Sequence, residues 1–330
     1  MNIKHFLLIA TKIVLAMITS LLLLSVFTYF YKYTPEKIVN RSHATDFVYM
    51  PNGRISNYKE GYATFYIDDN GFNNSHIKAS SQKPDVLLMG SSHMFGSEVS
   101  PEENVSYIMN DLLEDKSVYN IGMASHDFGV CLRNVENAIN VFNPQHTLII
   151  ETSSVVIDAQ IINEINLADS SLKVYTNPIV GLVQKVFPSV KRLLLDIETW
   201  INMDSKTDIR SDKQTEDGKI ELYNLALGSL KSKVNNRVNI IIVYHPILSI
   251  DSRGEYEQDP NMSSVKLFEE ACNNNGISFL NMNECFEHNY KRYHILPHGF
   301  SNSEIGKGHL NKYGHLWMAE ELTQLILEEQ

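Results

Sequence analysis

The chain has 330 residues, of which 43% are hydrophobic and 20% charged, and it carries a formal net charge of −11 at pH 7. This length and composition can bury a substantial core and favour one domain with attachments. An acidic balance without a cluster of Lys and Arg excludes nucleic acid as a partner, and three cysteines without a CxxC pair indicate neither a zinc knuckle nor a disulfide framework.

The N-terminal segment is apolar to a degree that the rest of the chain is not. Residues 13–30 carry no charge, and as a helix they would span about 27 Å, which matches the hydrocarbon core of a bilayer. The alternative is a cleavable signal peptide, but its apolar region is usually shorter and ends in a small-x-small site. We therefore predict an anchor over 1–33 that enters the inner membrane once through residues 6–30. The following domain is expected outside the cytoplasm, although the flanking charges do not decide the orientation.

Beyond the anchor, short apolar runs alternate with amphipathic segments. The runs that predict strands are 85–90, 118–123, 146–152, 237–246 and 276–282. Several of them lack polar alternation, which is typical of parallel strands that are covered on both faces. Ser100, Pro101 and Glu103 predict the start of a helix over 101–114, and an amphipathic helix closes the chain. This order predicts a three-layer, doubly wound parallel α/β sheet.

The other segments complete the predicted organisation. Residues 34–83 are expected to form an irregular arm, and 84–330 the main domain. A helical insertion is predicted over about 157–236, with apolar helical spacing at 179–201 and a polar loop at 203–219.

Polar residues follow the predicted strands, and ligands of open parallel sheets bind at that edge. The residues at these strand ends are Ser91, Ser92 and His93, then Asn120, Gly122 and Ser125, then Glu151 to Ser154, and finally 297–315. A serine and a distant histidine at one edge are candidates for a nucleophile and its base. The plainer interpretation is that Ser92 only caps the next helix.

Gly90, Ser91, Ser92 and Gly96 resemble the first sequence block of the SGNH/GDSL hydrolase superfamily, which is Gly-Asp-Ser with a glycine four residues after the serine. Ser91 stands in place of the aspartate. The resemblance covers about 84–330 and points to the membrane-anchored bacterial branch that is associated with envelope polysaccharides. It implies an SGNH/flavodoxin-like fold, with Ser92 as the nucleophile and its N–H in the oxyanion hole.

The second block resembles the family's at Asn120, and Ser125 replaces the glycine of the oxyanion hole. Because that donor is a main-chain N–H, a serine can supply it equally well. Gly122, His93 and His126 are expected to lie around the site. The third block, Gly-x-Asn-Asp, is replaced by a segment in which only Ser153 or Ser154 could donate. Loss of one oxyanion donor typically costs about 10² to 10³ in rate.

The fifth block, Asp-x-x-His, reads Gly306-Lys307-Gly308-His309 here. The resemblance makes His309 the general base, but Gly306 cannot orient an imidazole. Three alternatives remain open: a Ser-His dyad, a third member supplied by Glu304 or Glu151, or a backbone carbonyl that holds the ring.

Other kinds of site receive less support from the sequence. His298, His309 and His315 could be considered as metal ligands, but no carboxylate or cysteine completes a recognisable spacing. The segment after the first strand lacks the Gly-Lys-Ser/Thr ending of a phosphate loop. We therefore predict no metal and no cofactor.

The resemblance implies acyl transfer by a serine esterase or an O-acetyltransferase that acts on a cell-envelope polysaccharide. The expected partners are the bilayer, a glycan or acylated sugar, and a membrane acyl-transfer protein. The alternative is a carbohydrate-binding or assembly protein that kept the fold without catalysis, because the asparagine and aspartate of two blocks are missing.

Overall fold

A computed structural model describes residues 3–38, 45–74, 83–157, 161–162, 216–257, 259–304 and 306–328. Helix α1, Ile3–Tyr31, has 29 residues, and at 1.5 Å per residue it is about 43 Å long. Its most apolar 18-residue stretch has a mean hydropathy of 2.4, and none of that stretch is buried. Within the described residues, α1 is the one helix long and apolar enough to cross a membrane. This agrees with the prediction of a single-pass protein.

The centre of the molecule is a five-stranded parallel sheet. Its strands are β6 Val86–Met89, β7 Val118–Asn120, β8 Thr147–Thr152, β9 Asn239–Tyr244 and β12 Ser278–Asn281. They lie in the order β12-β9-β8-β6-β7. All five predicted strands are therefore present. Their ends lie inside the predicted runs because the flanking apolar residues belong to the loops at the sheet edges.

Helices cover both faces of this sheet and bury alternate strand residues against separate cores. One face carries α4 Phe128–Phe142, α5 Glu216–Val234 and α6 Met262–Asn274; the other carries α3 Val105–Leu112, α7 Asn283–Tyr293 and α8 Lys312–Glu328. Leu87 faces the first core and Leu88 the second, because successive side chains of a strand point to opposite faces. The predicted three-layer α/β class is confirmed.

The helix that was predicted over 101–114 is interrupted. A 3₁₀ turn covers Pro101–Glu103, and Asn104 has extended backbone angles before α3 begins. The reason is local: the Asn104 carboxamide accepts from the Ser106 N–H at 2.9 Å, so Asn104 acts as a new N-cap.

The predicted irregular arm contains short antiparallel strands, so that prediction was wrong in part. Strand β4, Arg54–Asn57, lies between β1, Lys32–Tyr33, and β5, Ala63–Tyr66. A second pair joins β2, Lys37–Ile38, to β3, Val48–Tyr49. A third small pair, in the main domain, joins β10, Ser249–Ile250, to β11, Tyr256–Glu257. Apolar residues of the arm, among them Ile55, Phe65 and Phe72, belong to the main core, which explains why this polar-looking segment is ordered.

Most of the predicted insertion lies outside the described residues, including the helical spacing at 179–201. The predicted polar loop at 203–219 is described only over its last residues. There the prediction was wrong, since residues 216–219 form the first turn of α5.

Candidate active site

Ser92 begins the short helix α2, Ser92–Phe95, directly after β6. Ser91 is the N-cap, and its side chain accepts from the His93 N–H. Gly90 has to be a glycine, because a Cβ there would lie 2.4 Å from Glu151 Oε2. Gly96 ends α2 in the left-handed conformation, with φ 66°. The turn therefore presents Ser92 at the carboxyl edge of the sheet.

Asn120 supports this turn from the end of β7. Its Nδ2 donates to Met94 O at 2.7 Å, and its Oδ1 accepts from the Gly122 N–H at 2.8 Å. A Cβ on Gly122 would lie 2.8 Å from the Phe95 N. Asn120 and Gly122 therefore lie against the turn that carries Ser92.

His309 lies opposite Ser92, in the loop before α8. Its Nε2 is 3.0 Å from Ser92 Oγ. Its Nδ1 is 2.9 Å from Glu60 Oε2, and its backbone N–H donates to Glu60 Oε1 at 2.9 Å. The carboxylate of Glu60 therefore contacts both the ring and the backbone N–H of His309. It completes a chain of contacts from Ser92 through His309 to Glu60.

Glu60 belongs to the arm between β4 and β5, and the His309 loop holds it in place. Asn302 accepts from the Gly61 N–H at 2.9 Å and donates to the carbonyls of Tyr58 and Gly61. Gly308 leaves room for the carboxylate, because a Cβ there would lie 2.1 Å from Glu60 Oε1. These hydrogen bonds therefore hold the turn that carries Glu60 against the loop that carries His309.

The charges around His309 favour its protonated form. Burial alone would lower the pKa of His309, but the hydrogen bond to Glu60 and the charges of Glu98 and Glu60 outweigh burial and raise it. The pKa of Glu60 moves the opposite way: burial would raise it, and the hydrogen bonds from His309 lower it. Glu98 Oε1 is 3.8 Å from His309 Nδ1, and burial raises its pKa. Glu60 is therefore the ionised partner of His309.

Neither carboxylate that the sequence analysis named as a third member is hydrogen-bonded to His309. Glu304 is 68% exposed and pairs with Lys307, because the loop carries it towards solvent. Glu151 is buried, accepts from the Ser91 N–H at 2.7 Å, and lies 2.8 Å from His245 Nε2. Its pKa is lowered by these contacts against the effect of burial.

The main-chain N–H groups of Ser92 and Ser125 have no acceptor within the described ranges. Ser125 has φ 75°, a left-handed angle that suits the glycine of the resembled family. Ser154 is arranged differently. Its N–H donates to Thr152 Oγ1 at 3.1 Å, and it does not line the cavity beside Ser92 within the part of the chain that the structure describes.

A cavity of about 340 Å³ opens in front of Ser92 and His309. Ala124 and Ser125 line one side of it, whereas Lys32, Asn57 and Glu98 line another. Lys32 Nζ donates to Asn57 Oδ1 at 2.9 Å. The residue that follows α1 therefore forms part of the wall of the candidate site. His126 follows Ser125, and its ring packs against Phe47, with ring centroids 5.3 Å apart.

Gly308→Ala is expected to lower any activity that depends on the contact between Glu60 and His309 by at least about tenfold, because its Cβ displaces the Glu60 carboxylate. Gly306→Ala is the matched control. Both glycines have similar positive φ values, 84° and 79°, but the nearest contact at Gly306 is the Leu296 side chain. Thermal unfolding and kcat/KM of both variants check the prediction. Equal losses of kcat/KM would attribute the effect to backbone strain.

No family model matches the chain, and neither does a curated protein. Three solved structures illustrate the similarities that were found. An acetyl xylan esterase, AlAXEase, is 12% identical, with 73% of this chain and 98% of that chain covered at a TM-score of 0.43. A lipolytic protein of the G-D-S-L family from Veillonella parvula is 13% identical. The match covers 73% of this chain and 96% of that chain, with a TM-score of 0.41. A GDSL-like lipase from Bacteroides thetaiotaomicron is 12% identical. The match covers 78% of this chain and 95% of that chain, with a TM-score of 0.37. Because the identities and TM-scores are this low, the function of this chain has to be argued from the contacts of its own residues.

Proposed function

We propose that the protein is a serine-dependent acyl ester hydrolase or O-acyltransferase, with Ser92 as nucleophile, His309 as general base and Glu60 as the third member. The observation that carries this proposal is the unbroken chain of contacts from Ser92 Oγ through both nitrogens of His309 to Glu60. A helix-capping role alone does not explain Ser92, since Ser91 makes the cap.

In the proposed mechanism, Ser92 Oγ attacks the carbonyl carbon of an ester while its proton passes to His309 Nε2. The carbonyl electron pair moves onto oxygen, and the tetrahedral intermediate then collapses. The alcohol leaves with the proton from Nε2, and the acyl group stays on Ser92. Water or a sugar hydroxyl gives its proton to Nε2 and attacks the acyl carbonyl carbon. The second tetrahedral intermediate then collapses: its bond to Ser92 Oγ breaks, and Nε2 returns the proton to that oxygen. The Glu60 carboxylate stabilises the imidazolium in both steps.

The oxyanion is proposed to bind the N–H groups of Ser92 and Ser125. Both are main-chain donors without a competing acceptor in the described part of the chain, and both residues line the same cavity. Donors that are already oriented stabilise the intermediate without reorganisation. Ser125 is supported better than Ser154, whose N–H is engaged by Thr152.

An esterified sugar of a cell-envelope polysaccharide is the proposed substrate, and the membrane is proposed as the place of reaction. The C-terminal end of α1 is hydrogen-bonded to the arm. Arg54 and Ser56 donate to the Tyr29 carbonyl, and the Tyr58 N–H donates to the Tyr31 carbonyl. A cavity whose wall begins at Lys32 would then open close to the bilayer surface. This position suits a glycan at the outer face of the inner membrane and a membrane protein that supplies acyl groups.

A fluorophosphonate probe tests this proposal, because it phosphonylates a serine only where a base activates the hydroxyl. The wild-type chain in detergent is expected to gain one probe mass, on the peptide that contains Ser92. Ser92→Ala is expected to gain none. Incubation with an acetyl ester, with and without an acceptor sugar, then separates transferase from hydrolase. A wild-type chain that stays unlabelled and yet binds glycan would favour the non-catalytic alternative.

A further inference from the structure

Three imidazoles meet beside the Ser92 turn and take no part in the proposed acyl transfer. His93 follows Ser92 in α2, His245 follows β9, and His298 lies in the loop that leads to His309. Each ring contributes one nitrogen to a set of three, and these three nitrogens all lie within 4.8 Å of one another. Ring centroids are 4.5 Å apart for His93 and His245, and 5.5 Å apart for His245 and His298. The three rings therefore form one cluster.

Three nitrogens of this cluster have no hydrogen-bond partner among the residues that the structure describes. His298 is 1% exposed, and neither of its ring nitrogens has a partner among the described residues. His245 is fully buried, and its Nδ1 also has none there. Buried polar atoms of native proteins are nearly always satisfied. The unsatisfied nitrogens of these two buried rings therefore point to a bound partner that can take their lone pairs.

We propose that His93, His245 and His298 bind one divalent transition-metal ion of the zinc class. Neutral imidazoles are preferred ligands of such ions, and three of them leave a fourth position for solvent. Glu151 lies 2.8 Å from His245 Nε2, which is the arrangement of a carboxylate that orients a metal-binding histidine. It places the ring proton on Nε2 and leaves the lone pair of Nδ1 for the metal.

Binding requires a small contraction of the cluster. Zn–N bonds of about 2.0–2.1 Å put the nitrogens of a tetrahedral site about 3.4 Å apart, so the rings move together by about 1 Å. His93 has one competing contact, because its Nδ1 accepts from the Leu310 N–H at 3.2 Å. Coordination through Nε2 transfers the ring proton to Nδ1, and this long hydrogen bond then breaks.

The three histidines that the sequence suggested as metal ligands have three different surroundings. Of His298, His309 and His315, only His298 belongs to the cluster. The nitrogens of His309 contact Ser92 and Glu60, and His315 Nδ1 accepts from the Val105 N–H. A metal at the cluster would join the turn after β6, the loop after β9 and the loop that precedes His309. It would hold the nucleophile and the base in register without touching the substrate.

Metal binding is measured on the full chain in detergent after treatment with a chelator and dialysis. Titration with Co²⁺ is expected to give one bound ion per chain, with the visible bands of four-coordinate Co²⁺, and Zn²⁺ is expected to displace it. His298→Gln and His245→Ala are each expected to weaken Zn²⁺ binding by more than about 100-fold, since losing a ligand costs more than losing an outer partner. The exposed His146 provides the matched control, His146→Ala.

Ser92→Ala separates this proposal from the proposed function, because it is expected to keep the full metal stoichiometry whatever its activity. A wild-type chain that binds no Co²⁺ or Zn²⁺ at equimolar concentration would overturn the metal site without any variant. Binding that is equally strong in folded His298→Gln would overturn it as well, since the ion would then lie elsewhere.

Discussion

Ser92→Ala is expected to lower kcat/KM for p-nitrophenyl acetate by about 10³-fold or more, the scale that follows loss of the nucleophile from a serine catalytic unit. The substitution removes the Oγ that lies 3.0 Å from His309 Nε2, and no other hydroxyl is hydrogen-bonded to that nitrogen within the described residues. Steady-state kinetics on the full chain in detergent measure the loss. The full chain is needed because β1, at Lys32–Tyr33, pairs with β4 and belongs to the site.

Ser91→Ala is the matched control for that experiment, since it removes a hydroxyl one residue away. Ser91 Oγ donates to Glu151 and caps α2, so its loss is expected to cost stability of about 1 kcal/mol. Most of the activity is expected to remain, because the Ser91 N–H keeps its hydrogen bond to Glu151. Wild-type activity in Ser92→Ala would remove the proposed mechanism.

The central fold could be predicted from the sequence because its strands are buried on both faces. The run that contains β6 is buried at every position of the strand, and all four residues are apolar, so its character shows without knowledge of its neighbours. The small strands of the arm could not be predicted in this way. β1 and β3 have only two residues each, too few for a period-2 pattern. They depend on contacts far along the chain: β1 pairs with β4, whose Ile55 lies in the main core, and both residues of β3 belong to that core.

The contact of Ser92 with His309 follows from two local patterns, each next to a sheet strand or helix that the sequence indicates. Glu60 has no such pattern. It lies 249 positions before His309, and its position depends on contacts of Asn302 with the backbone of the arm. One signal was present: Gly306 stands where the resembled family has an aspartate, and Gly308 leaves space that a distant carboxylate occupies. The sequence could show that position 306 carries no acid, but it could not show which residue takes the place of one.

Glu60→Gln is expected to lower kcat by about 10²- to 10⁴-fold, the upper value being that of the corresponding change in a serine protease. The carboxylate accepts from both the ring and the backbone of His309, whereas an amide presents an acceptor to only one of them. Its NH₂ group then faces either the backbone N–H or Nδ1. A ring that accepts at Nδ1 carries its proton on Nε2 and cannot take the proton of Ser92. Steady-state kcat of the folded variant measures the effect.

The pH dependence and two control variants distinguish this role from a structural one. Since the pKa of His309 is raised mainly by its hydrogen bond to Glu60 against burial, wild-type activity should fall as the pH drops through that raised value, where the base becomes protonated. Removing the negative charge lowers the pKa of His309, so the acid limb of Glu60→Gln should move to lower pH while its plateau falls.

Glu304→Gln should change neither the acid limb nor the plateau of the pH profile, because Glu304 is exposed and pairs with Lys307. Glu98→Gln should cost less than Glu60→Gln, because Glu98 lies 3.8 Å from Nδ1 and burial raises its own pKa. A larger loss in Glu98→Gln would transfer the role of the acid to Glu98, and an unshifted acid limb in Glu60→Gln would show that Glu60 does not control the base.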